Sequence, residues 1–162
     1  MVSNSGKENP TNQRRLPMTT TTTTITELAV TTTLDANALE NLARLTRTYD
    51  YLLGKATGFC GVSVFDGKLV FRGMDGSNEA HKMLVDFIVK FATSAKQVRA
   101  EKTLLPNNEK FAFRTWLIRL GWKGRETTKL RTSLYKGLTG NSAFCTEASK
   151  LRWLEKHGTK KD

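Results

Sequence analysis

Apolar residues recur at steps of three and four from Asp35 onward. Leu39, Leu42, Leu45, Tyr49, Leu52 and Leu53 draw one stripe, which predicts an amphipathic helix over 35–53 with Gly54 as its stop. The period then shortens. In FCGVSVFDGKLVFRG (59–73) two short runs, Cys60–Phe65 and Lys68–Phe71, meet at Asp66-Gly67, a dipeptide that takes the positive φ of a two-residue turn, so a β-hairpin is predicted. Ser77 is the expected N-cap of a helix over 78–100, with Leu84, Ile88, Phe91, Ala95 and Val98 facing the core. Pro106 in TLLPNN (103–108) ends that segment.

Asn108 is placed to cap a helix over 109–120, and Glu109 suits the positive end of its dipole. Apolar residues cover most of this helix. Phe113, Trp116, Leu117 and Leu120 form one face and Phe111 and Ile118 another, as expected of the central, buried helix. Gly121 and Gly124 allow a tight reversal into a helix over 125–138 that packs on the Trp116 helix, and a shorter helix near Thr146–His157 closes the domain through Leu151, Trp153 and Leu154.

The start of the chain has no such period. Residues 1–18 are polar and hold two of the three prolines; then TTTTTTITELAVTTT (19–33) has ten Thr in fifteen positions, with ITELAV (25–30) open to an edge strand or a linker. The expected architecture is α+β: four to five helices around a small β-hairpin. Residues 1–33 are a disordered Thr-rich tail, 34–158 a single domain whose basic helical part is 109–158, and 159–162 a basic tail.

Charge separates this last part from the rest. The net charge is +11, and residues 109–162 hold thirteen basic against five acidic side chains, a local excess of +8. An excess so placed draws polyanions to one end of the molecule. On a helical wheel Leu130, Leu134 and Leu138 cluster on one side of 125–138. Arg125, Lys129, Thr132 and Lys136 lie nearly opposite, with Arg131 on the flank. Lys, Arg and Thr are the side chains that hold phosphate oxygens, although a solvated face has the same composition. Arg114, Arg119 and Lys123 extend the candidate surface. Trp122 is a base-stacking platform if exposed and core if not. A helix-turn-helix reading of GWKG also fits the glycines, but the second helix offers no Asn or Gln to read base edges, which favours an αα-hairpin and backbone contact. GLTGNSAF (137–144) is rich in glycine without the GxxxxGK[ST] order of a phosphate loop, and reads as a helix end and turn.

Catalytic patterns are not found. His81 and His157 sit in no metal-ligand spacing, Cys60 and Cys145 read as unpaired thiols in no CxxC or Cys/His pattern, and Glu79, Glu101 and Glu109 show no paired-carboxylate spacing. The expectation is a non-enzymatic protein with no cofactor and no metal. No apolar run is long enough to span a bilayer, so no membrane partner and a cytoplasmic location are expected.

NEKFAFRTWLIRLG (108–121), followed by a charged helix and then LTGNSAF (138–144), resembles the C-terminal region of small, mostly uncharacterised proteins carried on conjugative elements, plasmids and prophages of Gram-positive bacteria. The likeness extends over about 34–145 and departs where the group has an aromatic-Ile-Gly-acidic turn, since Trp122, Lys123 and Gly124 follow Gly121 here. It implies a phage or mobile-genetic-element setting and supplies no catalytic residues. The leading expectation is an accessory protein of such an element that binds DNA or RNA through its C-terminal helices. The alternative is an inhibitor of host defence, of anti-CRISPR type, that binds an RNA-guided nuclease or its ribonucleoprotein.

Overall fold

The order of elements follows from where the hydrophobic period changes. A computed structural model describes residues 26–158; the notional tail over 1–25 and the basic end over 159–162 lie outside the described residues. The elements are β1 (Glu27–Thr31), α1 (Ala36–Thr48), α2 (Asp50–Thr57), β2 (Gly61–Phe65), β3 (Lys68–Arg72), α3 (Glu79–Ser94), α4 (Glu109–Arg119), α5 (Thr128–Leu134) and α6 (Glu147–His157). The architecture is α+β, with six helices among the described residues and one three-stranded antiparallel sheet.

The hairpin forms at the expected dipeptide. Asp66 and Gly67 take φ of 50° and 70°, the paired positive values of a two-residue turn whose twist matches the strands. That turn sets Phe65 opposite Lys68 and Gly61 opposite Arg72. A third strand then corrects the boundary placed at residue 33. Residues 27–31 pair with β3, Leu28 facing Phe71 and Val30 facing Leu69, so the order is β1-β3-β2. The cause is a buried face: Leu28, Leu69 and Phe71 all point into the core, and β3 without β1 would leave a row of backbone groups unpaired.

Three helix boundaries also differ from the periodic expectation. Asp35 caps α1 by accepting from the Ala38 N–H at 2.7 Å, but the stripe is interrupted at Tyr49 and the stop is Gly58, with φ +88°, rather than Gly54. The hydroxyls of Thr46 and Thr48 donate back to the Leu42 and Arg44 carbonyls at 2.9 Å. Such bonds loosen a helix, and here α1 gives way to α2, with Tyr49 stacked on Trp116 at 4.1 Å between ring centres. Asn78, not Ser77, caps α3; Ser77 bonds to Asp75 instead.

α3 ends at Ser94, six residues short of the expected limit, because a buried asparagine on α1 competes for its end. Asn41 Nδ2 donates to the carbonyls of Ala92 (3.1 Å) and Ala95 (2.9 Å), and its Oδ1 accepts from the Val98 N–H (2.8 Å). Arg44 donates to the Val98 carbonyl and Asn37 to that of Lys96. Residues 95–104 thus run along α1 as a strap, fastened at the far end by Leu104 N–H to the Thr48 carbonyl and by Thr103 to Arg47. The core fills the space between the sheet, α1, α3 and α4 with Leu42, Leu45, Leu52, Leu53, Phe71, Leu84, Ile88, Phe113 and Leu117.

Candidate nucleic-acid interface

Trp122 decides the geometry of the basic region. Gly121 and Gly124, with φ of +98° and +110°, reverse the chain after α4 as expected, but the residue they bracket turns inward. Trp122 is 1 % exposed, stacks on Phe87 of α3 at 5.6 Å, and donates its indole N–H to Thr127 Oγ1 at 3.0 Å. The base-stacking role is therefore corrected: its ring is a core element, with a large apolar surface and a satisfied polar tip. A buried anchor makes this loop a fixed mount for the charges beside it.

α5 is shorter than the expected helix over 125–138, seven residues rather than fourteen. Leu134 and Leu138 are buried, and α5 packs on α3 rather than principally on α4, touching the latter through the Tyr135 ring edge-on to Phe113 at 6.3 Å. Arg125 precedes the helix and Lys136 follows it, so the two do not share a continuous helical face with Lys129. Two turns of helix present little surface to a major groove, and α5 makes its main contacts with α3, so the region is neither a helix-turn-helix nor the expected αα-hairpin.

Lys123, Arg125, Lys129, Thr132 and Lys136 are all exposed. Among the described residues none of these four cations is in an ion pair. Arg131 behaves differently. It is half-buried and its guanidinium donates to the carbonyls of Trp122 and Gly124 and to Thr128 Oγ1, clamping the loop to α5. Three of its contacts thus go to the fold, which gives Arg131 a structural role beside the phosphate contact expected of it. Arg114 is exposed on α4, close enough to Tyr135 for its charge to be felt there. Arg119 is five residues on, about 140° around the helix, and borders a different part of the molecule, beside Tyr49. Six of the seven expected basic residues are thus exposed; Arg119 among them lies apart, and the seventh, Arg131, clamps the loop.

A buried carboxylate stands at the start of α4, where the sequence suggests no more than a favourable place on the helix dipole. Glu109 is 4 % exposed. Lys55 Nζ donates to both of its oxygens at 2.9 Å, the Tyr51 hydroxyl to Oε1 at 2.7 Å and the Thr139 N–H to Oε2 at 2.9 Å. Burial works to raise its pKa, but these donors outweigh burial and hold it at about 2. The same bond raises the pKa of Lys55.

The neighbouring Asn108 does three things at once. Its Oδ1 caps α4 at Phe111 N–H (3.2 Å) and accepts from Asn141 N–H (3.0 Å), and its Nδ2 donates to the carbonyls of Phe144 (2.7 Å) and Cys145 (3.1 Å). Gly140, at φ +95°, lies against that amide, where a Cβ would collide with it. NEK (108–110) and LTGNSAF (138–144), the two stretches on which the resemblance rests, are therefore each other's partners. The N–H groups of Thr139, Asn141, Ala143 and Phe144 are taken by Glu109, Asn108 and Asn141 side chains, as a turn requires and a phosphate loop does not.

The remaining chemistry-bearing residues lie apart. His81 is buried, its Nδ1 accepting from the Asp75 N–H at 2.9 Å, and burial lowers its pKa against the pull of Asp75. His157 stacks on Trp153 at the end of α6. Cys60 and Cys145 are free and exposed. Among the described residues no three His, Cys, Asp or Glu side chains are grouped to hold a metal ion, and no helix is long and apolar enough to cross a membrane. α6 forms where expected, capped by Thr146, but buries none of its residues; Leu151 and Trp153 are about half exposed, so it does not close the domain. Comparison with protein-family models, with curated proteins and with solved structures returns no match for this chain.

Proposed function

We propose that the protein binds the phosphate backbone of a nucleic acid through the loop after α4 and through α5, without catalysing a reaction on it. The observation that carries this reading is a set of exposed cations, Lys123, Arg125, Lys129 and Lys136, unpaired among the described residues and mounted on a loop pinned by Trp122 and Arg131. Pre-positioned cations lose little entropy on meeting phosphates, and each contact releases a counterion. Arg114 extends the surface, and Thr132 adds a hydroxyl donor. Contact with the backbone rather than with bases follows from the composition of the surface, which offers charge but neither an amide side chain nor an exposed aromatic ring on α5. The setting in this reading is a phage or other mobile element, from the resemblance of 108–144, and the location is cytoplasmic.

A second reading, the inhibitor of an RNA-guided nuclease, draws on a separate observation. Leu151 and Trp153 of α6 and Val64 and Phe65 at the hairpin are exposed, and aromatic and aliphatic residues of this kind are what protein partners cover. The two readings differ in whether free nucleic acid suffices. With labelled single- and double-stranded DNA and RNA between about 50 and 300 mM salt, the backbone reading predicts binding whose log affinity falls by about 3 to 4 per tenfold rise in salt, one unit for each phosphate engaged. No binding to free nucleic acid, together with capture of a guide-loaded nuclease, would transfer the function to the second reading. If neither occurs, both readings fail.

A further inference from the structure

The strap over 95–104 encloses something as it crosses α1. A cavity of about 250 Å³ lies between α1, the end of α3, the strap and α4, walled by Leu45, Phe91, Val98, Leu120 and the stacked rings of Tyr49 and Trp116. The lining also carries polar groups, Thr48 and Gln97 among them. Trp116 is 2 % exposed, and its indole N–H is buried with no hydrogen-bond partner among the described residues. Buried donors in folded proteins nearly always have an acceptor, and this one without a partner belongs to a residue that lines the cavity. Arg119, the cation that lies away from the α5 group, is on the same lining, as are Arg99 and Glu101 from the strap. The Tyr49 hydroxyl lies within the influence of Arg119 and Glu101.

We propose that this cavity binds a small planar organic acid, one ring bearing a single carboxylate. The apolar walls and the flat Tyr49–Trp116 pair suit a ring. A volume at or below the low end of ordinary ligand pockets, which run from about 300 Å³ upward, limits the occupant to about one ring. Two arginines against one glutamate leave the rim one positive charge in excess, and the planar guanidinium of Arg119 matches a carboxylate. Bonds to Asn41 Oδ1, from Arg44 and to the Arg47 carbonyl fix both ends of the strap, which carries Arg99 and Glu101 to the lining of the cavity.

None of Lys123, Arg125, Lys129 or Lys136 takes part, so this inference and the nucleic-acid reading stand or fall separately. The test is a titration of the full ¹⁵N-labelled chain with benzoate and with nicotinate, following the Trp116 indole N–H, which is identified by its loss in Trp116→Phe. A saturable shift of that resonance near 1 mM, on the order expected for ligands of nine non-hydrogen atoms, is predicted. Arg119→Gln should weaken it about tenfold, the scale of one lost charged contact, while leaving the melting temperature unchanged. Uncharged benzyl alcohol should bind equally weakly to both proteins. The proposal is overturned if neither acid moves the Trp116 resonance at about 20 mM, some twentyfold above the expected dissociation constant. Equal response to benzyl alcohol, or an unchanged affinity in Arg119→Gln, also overturns it.

Discussion

Trp122→Ala is expected to lower the stability of the protein by about 3–5 kcal/mol, a large part of what a domain of this size possesses. The side chain is 1 % exposed and stacks on Phe87, so truncation opens a cavity between the loop and α3. It also leaves the Thr127 hydroxyl without its donor and slackens the loop that Arg131 clamps. Trp122→Phe should recover much of the packing and lose mainly the hydrogen bond, about 1 kcal/mol. Denaturant unfolding measures both. A small effect of the alanine variant, with weakened nucleic-acid binding at full stability, would return Trp122 to the surface role that its burial argues against.

The second large effect is at Glu109. Glu109→Ala should cost about 1–3 kcal/mol, mainly because the Thr139 N–H loses its acceptor, while the partly exposed Lys55 ammonium and Tyr51 hydroxyl turn to water. Its depressed pKa fixes the sign of a pH dependence. The folded value of about 2 lies below the ordinary 4.5, so the stabilisation is complete above about 4.5 and is lost as pH falls from there toward 2. His81 adds a step at higher pH. Its folded pKa is below the ordinary 6.5, and the neutral ring accepts from Asp75, so stability declines as pH drops through 6.5 and the unfolded chain takes up the proton first. Thermal melts of the wild type between pH 8 and 3 should therefore fall in two stages, and the lower one should be shallower in Glu109→Ala, where Asp75, held low by its bonds from Ser77, still contributes. A single stage shared by both proteins would remove Glu109 from the account.

Local order was readable where local chemistry determines it. Asp66-Gly67 specifies its own turn, Asn108 its own cap, and the Leu84–Ile88 period its own face, since each depends on residues within a few positions. What the period could not convey was which distant group competes for a backbone. Asn41 ends α3 from 51 residues away, and Tyr49 leaves the helical line to meet Trp116. β1 escaped a firm assignment because its Thr-rich flanks suit a linker as well as a strand, and only pairing with β3 separates the two.

At the candidate site the wheel identified the leucine side of 125–138 but not the shortness of α5, which follows from the tight turn after Leu134 that buries Leu138. Arg131 and Lys129 look alike in sequence; one bonds backbone carbonyls and the other is exposed. Glu109 was hidden for a similar reason. An acidic first helical residue is ordinary, and only the convergence of Lys55, Tyr51 and Thr139 makes this one a buried hub.

The central claim is that the exposed cations around α5 hold phosphate. Its most direct test is fluorescence anisotropy of a labelled oligonucleotide with the wild type and with Arg125, Lys129 and Lys136 all changed to Glu, in matched salt series. These residues touch none of the leucine face, so the variant should melt within about 0.5 kcal/mol per site of the wild type. The account predicts that binding falls at least about a hundredfold at 50 mM salt and that the salt slope drops by about 3. A folded triple variant that binds with unchanged affinity and slope would contradict it, and would leave the basic end of this chain as a solvated face.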